Sequence, residues 1–211
     1  LAGDLIDELP RLGEAVDYGV VDQADFLQEY DPSLTLEDLE RQAARVREML
    51  SRADSPVNET LRRKRDVIRE TLESAGKPVF FVLGNHDTIE WPSRGACVNV
   101  HLRSAPFMGY RFVGYRYTLM ELTEREIRRE LSQLKRLIDA STILVTHSPA
   151  RGVLDLTKHG ERIGSRSIGR LVKRRKLLLH VFGHVHEAAG RSGQALNPSY
   201  FLTEEFYSVE V

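Results

Sequence analysis

Three apolar runs along the chain each end directly in polar residues. The first is PVFFVLGNHD at residues 78–87, the second is STILVTHSPA at 141–150, and the third is LLLHVFGHVH at 177–186. Runs of this length and composition favour buried β-strands. Open α/β sheets carry their chemistry at the carboxyl ends of their strands, so we expect the polar residues after these runs to meet at one edge.

Helical spacing marks three further segments, at about 35–50, 58–75 and 123–138. Pro56 separates the first two segments, which predicts a helical hairpin. The second segment is expected to end at Gly76 and Pro78, because both residues stop helices. Its apolar face is Leu61, Ile68, Leu72 and Ala75. Acids and bases are mixed along the other faces of the hairpin, which indicates solvated surface rather than a nucleic-acid-binding face.

Composition fits one soluble α/β domain that spans 1–211. The chain of 211 residues is 41% hydrophobic, which is enough for one sizeable core. It has 30 Lys and Arg against 31 Asp and Glu, so a nucleic-acid role would need a local site. The single Cys97 excludes an internal disulfide and fits a reducing, cytoplasmic setting. No run approaches the roughly 18 apolar residues of a membrane helix.

Oxygen and imidazole donors follow the apolar segments in a regular order. They are Gly3-Asp4, Gly84-Asn85-His86-Asp87, His147, and Gly183-His184-Val185-His186. Each group taken singly has an ordinary interpretation as a turn, a loop or a strand tail. If the last segment is extended, its two histidines lie on one side about 6.5 to 7 Å apart, a span suited to two neighbouring metal ions. The combination indicates a metal site.

These motifs resemble those of the calcineurin-like metallophosphoesterase superfamily, which are Asp-x-His, Gly-Asp, Gly-Asn-His-Asp/Glu, a lone His, and Gly-His-x-His. Four of the five occur here in that order. Residues 154–190 also resemble a branch of uncharacterised prokaryotic phosphoesterases related to vertebrate metallophosphoesterase-domain proteins. The resemblance implies a four-layer α-β-β-α sandwich of two mixed sheets, with residues 31–76 as a helical-hairpin insertion.

The resemblance also implies a ligand set for two divalent metal ions. Asp4 would bridge the two ions, and Asn85, His147 and His184 would complete one site. His186 would contribute to the other site. Neutral imidazoles suit Mn, Fe, Zn or Ni better than Mg, and Mn is the favoured choice here.

In the same family pattern, a metal-bridging hydroxide attacks phosphorus in line with the leaving oxygen. His86 would lie near the leaving group, where an imidazolium can donate a proton. Asp87 would orient that ring, or it would stabilise a turn, and the two roles are compatible. The implied reaction is hydrolysis of a phosphomonoester or phosphodiester, with a small phosphoester or nucleotide as substrate.

The loop DLTKHGERIGSRS at 155–167 lies where the family shapes its substrate pocket. Arg162, Ser165 and Arg166 are candidates for contacts with a phosphate, although ordinary loop positions are the commoner role for such residues. Elsewhere, His180 is expected to be a core residue bonded to the backbone, and His101 is expected to be exposed.

The first family motif, Asp-x-His, is missing from the sequence. The opening LAGDLID predicts the end of a strand already under way, so we expect the N-terminal strand and this motif to lie upstream of Leu1. The alternative is a one-metal or inactive relative. Two rival functions also stay open: a non-catalytic scaffold on the same fold, and a nuclease acting on DNA, which would show a steep salt dependence of binding. The sequence leaves open whether the protein is a homodimer.

Overall fold

The computed structural model describes residues 56–84, 87, 89–116 and 124–198. The described residues form a mixed α/β structure with two sheets, which agrees with the predicted α/β class. The helices are α1 (Pro56–Ser74), α2 (Glu124–Leu134) and α3 (Arg166–Arg174), with a short 3-10 helix at His186–Ala188. The strands are β1 (Val79–Phe81), β2 (Cys97–Asn99), β3 (Ser104–Phe107), β4 (Tyr110–Tyr115), β5 (Thr142–Thr146), β6 (Leu179–Val181), β7 (Gly190–Ser192) and β8 (Ala195–Asn197). The predicted helix at 35–50 and the strand predicted at LAGDLID lie outside the described residues.

The larger sheet has six strands in the order β3-β4-β5-β6-β8-β7. The four inner strands are parallel to one another, and the two edge strands run antiparallel to their neighbours. Every residue of β5 is buried, as expected for a central strand of a parallel sheet that is covered on both faces. Leu144 packs with residues of α2 and α3 on one face, whereas Ile143 and Val145 pack on the other.

The smaller sheet consists of β1 and β2 in parallel, and its apolar residues pack against the larger sheet. Val82 and Val100 are fully buried in the same cluster as Ile143 and Val145. Gly114 of β4 lies at the closest approach, because a Cβ atom built there would come within 2.5 Å of the side chains of both Val82 and Val100. The absence of a side chain at this position allows the contact between the two sheets.

Helix α1 covers the opposite face of β1, as the apolar spacing predicts. Leu61, Ile68 and Leu72 pack in a cluster with Phe81 and Trp91. The helix starts two residues earlier than predicted, at Pro56, a residue that favours the first turn. Gly76 follows the end of the helix at a φ of 65°, so the predicted stop is confirmed. The prediction that Ala75 belongs to the apolar face is wrong, because this residue lies in the turn after the helix and is exposed.

Arg69 is an exception to the prediction that the charged residues of α1 are solvated. Its side chain is buried at 3% exposure, its Nη2 atom donates to the carbonyl of Pro92 at 2.9 Å, and its guanidinium lies 5.6 Å from the centre of the Trp91 ring. The long stem lets the charged group reach a backbone acceptor and an aromatic face across the cluster. Helix α1 thereby holds the segment that follows Asp87.

His101 is also more enclosed than predicted. Its ring is half-buried, its Nδ1 atom accepts a hydrogen bond from the Arg116 backbone N–H at 3.2 Å, and it packs against Tyr115. The reason is that the chain beyond β2 does not run into solvent but bridges to Gly114 of the larger sheet. Among the described residues, no helix has the length and apolarity needed to cross a membrane.

Candidate metal centre

His147 and His184 meet at the carboxyl edge of the larger sheet. His147 directly follows β5, and His184 comes three residues after β6, its parallel neighbour. The Gly183 N–H donates to the His147 carbonyl at 3.0 Å, which continues the strand pairing beyond the strands themselves. The His147 Nε2 atom lies 3.2 Å from the His184 Nδ1 atom, so the predicted convergence of these two imidazoles is observed.

The separation of these two ring nitrogens fits a shared metal ion. Two nitrogens at about 2.0 to 2.1 Å from one tetrahedral ion lie about 3.3 to 3.4 Å apart. The observed distance is 3.2 Å, with ring planes at 64° to one another. The same distance also suits a hydrogen bond between two neutral rings, in which one nitrogen donates and the other accepts. The arrangement can therefore change from a hydrogen-bonded pair to a pair of ligands with little movement.

The segment that carries the paired histidines is a tight turn rather than an extended strand. The Val185 N–H donates to the Gly183 carbonyl at 2.9 Å, and His184 between them has a φ of 72°. This is a γ-turn with a positive central φ, a rare and strained conformation for a residue other than glycine. The prediction of two histidines on one side of an extended chain is wrong for this reason. Strain of this kind is concentrated at functional sites.

A buried polar network supports the turn that carries His147. The Thr146 hydroxyl donates to the Ser148 carbonyl at 2.7 Å and accepts from the His180 Nε2 atom at 2.8 Å. His180 is thus a core residue, as predicted, but its partner is a side chain and not the backbone. Burial lowers the pKa of His180 to about 3, so the ring is neutral at physiological pH. Together these residues bracket His147, which is itself buried.

Asp87 is buried at 9% exposure, and its Oδ2 atom accepts a hydrogen bond from the Gly84 N–H at 2.8 Å. The carboxylate therefore stabilises the backbone at Gly84, as a turn-stabilising side chain would. This is one of the two roles considered for it. The orientation of the His86 ring by the same carboxylate stays a prediction, since Asn85 and His86 lie outside the described residues.

Of the three remaining predicted ligands, the structure describes only His186. Asp4 lies outside the described residues, as Asn85 does. His186 begins the 3-10 helix and is partly buried, two residues beyond His184. Within the described part of the chain, no group of three or more His, Cys, Asp or Glu residues is arranged to hold a metal ion. His147 and His184 are the predicted ligands that the structure brings into contact.

The candidate substrate loop lies beside the histidine turn. The Lys158 N–H donates at 2.7 Å to the carboxylate of Glu187, the residue that directly follows His186. Arg162 pairs with the buried Asp155 at 2.6 Å, and about half of the Arg162 side chain stays exposed. Ser165 is buried and caps α3, because its Oγ atom accepts from the Ile168 N–H. Arg166 is exposed in the first turn of that helix. The predicted phosphate contacts of Arg162, Ser165 and Arg166 stay predictions.

One residue near the centre was not predicted. Asn197 ends β8 and is fully buried, and its side chain donates to two carbonyls of the segment after His184. Its signal in the sequence was available: ALNPS is a short apolar segment that ends in a polar residue, like the three runs that were recognised.

A comparison of the chain with curated proteins finds no match. The family model for calcineurin-like phosphoesterases matches residues 1–188, which is most of the chain. The match includes every motif residue described above. Members of this family generally hydrolyse phosphoesters with a dinuclear metal centre. On this match, together with two imidazoles in contact at the carboxyl edge of the sheet, the chain belongs to the calcineurin-like phosphoesterase family.

Proposed function

We propose that this protein is a metal-dependent hydrolase of a phosphomonoester or phosphodiester. The observation that supports it most strongly is the 3.2 Å separation of the His147 Nε2 and His184 Nδ1 atoms at adjoining strand ends. A purely structural role would not require a strained turn to bring one imidazole against another. The family match supplies the reaction class.

The proposed centre holds two divalent ions, with Mn favoured. Asp4 would bridge them, Asn85, His147 and His184 would complete one site, and His186 would serve the other. When bound, such ions lower the pKa of water to give a nucleophile near neutral pH, and they stabilise charge on the phosphoryl oxygens. Imidazole nitrogens and an amide oxygen are neutral ligands, so they limit the negative charge of a site that receives an anionic substrate.

His86 is proposed to donate a proton to the leaving oxygen. The support comes from Asp87, which is buried and fixes the Gly84 turn through its Oδ2 atom. A carboxylate accepts several hydrogen bonds at once, so holding the turn is compatible with orienting the His86 ring. An imidazole oriented in this way would present its proton without a large entropy cost at the transition state.

The substrate is proposed to bind between the histidine turn and the loop that begins at Asp155. The bond from Lys158 to Glu187 holds this loop against the turn. Arg162 keeps about half of its side chain exposed although it pairs with Asp155, so it can contact a phosphate oxygen as well. Ser165 has weaker support, because its hydroxyl already caps α3, and Arg166 rests on its exposure alone.

The packing of the described elements supports the finer architecture that we propose, a four-layer α-β-β-α sandwich in a single domain. Residues of α1 pack on the small sheet, the two sheets share a cluster, and α2 and α3 contribute to the cluster on the far face of the large sheet. Residues 31–76 are proposed to be a hairpin insertion. A cytoplasmic setting is proposed from the lone, buried Cys97.

The test is hydrolysis of an aryl phosphodiester and an aryl phosphomonoester by the full-length protein with and without MnCl2. We expect Mn-dependent turnover, and the preferred substrate identifies the ester class. His86→Ala should lower kcat at least about 100-fold with metal content unchanged, in line with the usual contribution of a general acid. Absence of both metal binding and turnover would contradict the proposal and favour a scaffold.

A nuclease is the second candidate, and the region around α3 favours it locally. Residues 162–176 contain no acid and the following cations: Arg162, Arg166, Arg170, Lys173, Arg174, Arg175 and Lys176. The start of α3 lies close to the histidine pair, since the Ser165 N–H donates to the Pro149 carbonyl at 2.9 Å. Binding of single-stranded DNA that falls steeply with added salt would support this candidate, and no binding at low salt would exclude it.

A further inference from the structure

The order of the strands places β8 beneath the turn that carries the paired histidines. Strand β8 lies between β6 and β7, so the chain from β6 to β7 must pass over the carboxyl end of β8. Both ends of this passage are attached to β8. The Phe182 N–H donates to the Leu196 carbonyl at 3.0 Å, and Gly190 pairs with Asn197. The segment 183–189 is therefore an arch over the last residue of β8.

Asn197 is that last residue, and its side chain holds the arch from inside. Its Nδ2 atom donates to the Val185 carbonyl at 2.7 Å and to the Ala188 carbonyl at 3.2 Å. Both partners are acceptors, so the amide nitrogen and not the oxygen must face them. The two carbonyls lie on either side of His186 in the chain, and the first directly follows His184. One buried amide thus fixes the backbone around both predicted ligands.

The conformation of the arch explains why such a contact is needed. His184 has a φ of 72°, which an L-residue adopts only when its surroundings impose it. The arch contains one short 3-10 helix and no strand pairing of its own. Backbone N–H groups of the arch already donate to the Gly183, Val185 and His186 carbonyls, whereas relaxation of the arch would separate the Ala188 carbonyl from its Asn197 donor. The two bonds from Asn197 oppose that relaxation, and they come from a residue with 0% exposure at the end of a strand inside the sheet.

The Oδ1 atom of Asn197 accepts no hydrogen bond from the part of the chain that the structure describes, although it is buried. A buried acceptor without a partner is unfavourable, and such groups in folded proteins call for an explanation. Stability alone would favour an apolar residue here if the arch could satisfy its own carbonyls. Within the described part of the chain the amide uses only its donors, which indicates that the position is chosen for those two donors.

From these contacts we infer that Asn197 is a positioning residue for the metal centre: it holds the strained arch so that His184 and His186 present their imidazoles as ligands. The inference rests on the proposed function, because it assigns to the arch the task of binding metal. Asn197 itself touches neither the metal nor the substrate in this account. Outer partners of this kind usually change metal affinity by about 10- to 100-fold.

The test compares Asn197→Ala with Thr142→Val in the full-length protein. Thr142 is a matched control, since it is also fully buried and its Oγ1 atom makes two hydrogen bonds with Asp139. It lies at the start of β5, the opposite end from His147. Two properties are measured: the affinity of the metal-free protein for MnCl2 by calorimetric titration, and amide hydrogen exchange of the peptide 183–190 by mass spectrometry.

We expect Asn197→Ala to weaken the affinity for Mn about 10- to 100-fold and to speed exchange in 183–190 at least about tenfold, because the arch relaxes. Thr142→Val should lower the unfolding midpoint while leaving both properties within about twofold of the wild type. The inference is overturned if Asn197→Ala leaves both properties unchanged, or if Thr142→Val changes them equally. If Asn197→Ala does not fold, the same two properties are measured in Asn197→Ser, which is a milder change.

Failure of the proposed function gives a different result. If the wild type takes up no Mn, the metal-dependent function fails whatever the variants do. Faster exchange confined to 183–190 in Asn197→Ala would then still support the anchoring of the arch, whereas unchanged exchange would overturn the anchoring as well.

Discussion

The Nε2 atom of His147 lies 3.2 Å from the Nδ1 atom of His184, and the backbones of the same two turns are joined by the bond from the Gly183 N–H to the His147 carbonyl. Residues 37 positions apart are thus connected through both side chain and main chain. These contacts hold the two rings in a defined geometry relative to one another. This preorganisation is what a metal site requires for tight binding.

Removal of either imidazole should therefore impair metal binding directly. Loss of a residue that only orients a ligand usually weakens metal affinity about 10- to 100-fold. We expect His147→Ala and His184→Ala each to weaken the affinity for Mn by more than that. Calorimetric titration of the metal-free protein measures this. His159→Ala is the control, because His159 is exposed on the neighbouring loop. Equal Mn affinity in all three variants would count against the pair as ligands.

Two substitutions separate the roles of Asp87. Asp87→Asn keeps an oxygen that can accept from the Gly84 N–H but loses the charge, so the unfolding free energy should stay near that of the wild type while kcat falls roughly tenfold. Asp87→Ala also removes the acceptor from a buried backbone donor, and it should lower the unfolding free energy by about 1–3 kcal/mol. Urea unfolding and steady-state kinetics measure the two effects. Wild-type kcat in Asp87→Asn would reduce this residue to a turn-stabilising role.

Because His180 is buried and neutral, we expect the folded protein to lose stability in acid. Burial lowers its pKa to about 3, below the ordinary value of 6.5, so protons bind the unfolded chain preferentially below pH 6.5. The stability that depends on neutral His180 is complete above that pH, is reduced by about 2 kcal/mol at pH 5, and continues to fall until about pH 3. His180→Leu should flatten this slope in urea unfolding between pH 7 and 5.

The matched control for the acid effect is His159→Gln, an exposed position, which should keep the wild-type slope. His101 contributes to the pH dependence of the unfolding free energy in every variant, because burial and the nearby Arg116 and Arg103 lower its pKa to about 4. An unchanged slope in His180→Leu would show that the ring is not held neutral in the folded protein.

The contact between the sheets can be tested at Gly114. A Cβ atom there would approach the side chains of Val82 and Val100 to 2.5 Å, so Gly114→Ala should lower the unfolding free energy by about 1–3 kcal/mol. Gly169→Ala is the paired control. Its Cβ atom would meet Arg151 at 3.5 Å, an ordinary contact, and alanine favours a helix by up to about 1 kcal/mol. Equal stability of the two variants would contradict the close approach of the sheets.

Elements with strong local signals were predictable from the sequence. Strands β1, β5 and β6 lie within the three apolar runs, although β1 and β6 are each only three residues long. Helix α1 follows its apolar spacing because one face meets a sheet. The convergence of His147 and His184 was predictable for a related reason, since the carboxyl ends of neighbouring parallel strands share an edge.

Features that depend on distant partners were not predictable. Strands β7 and β8 are three residues each, and β7 consists of Gly, Arg and Ser, which give no strand pattern. ALNPS signals a polar residue at a strand end, but the anchoring role of Asn197 follows from the order of the strands in the sheet, and that order leaves no local trace. Arg69 looked like any surface cation because its acceptor, the Pro92 carbonyl, lies 23 positions away. The strained φ of His184 likewise reflects the arch and not the residue type.

Anomalous X-ray diffraction from crystals of the full-length protein grown with MnCl2 tests the central claim most directly. The signal of Mn identifies the ion independently of any assumption about ligands. The account predicts a peak within coordination distance of both His147 Nε2 and His184 Nδ1, with a second peak near His186. Fully occupied Mn elsewhere in the protein, with no peak at the histidine pair, would contradict it.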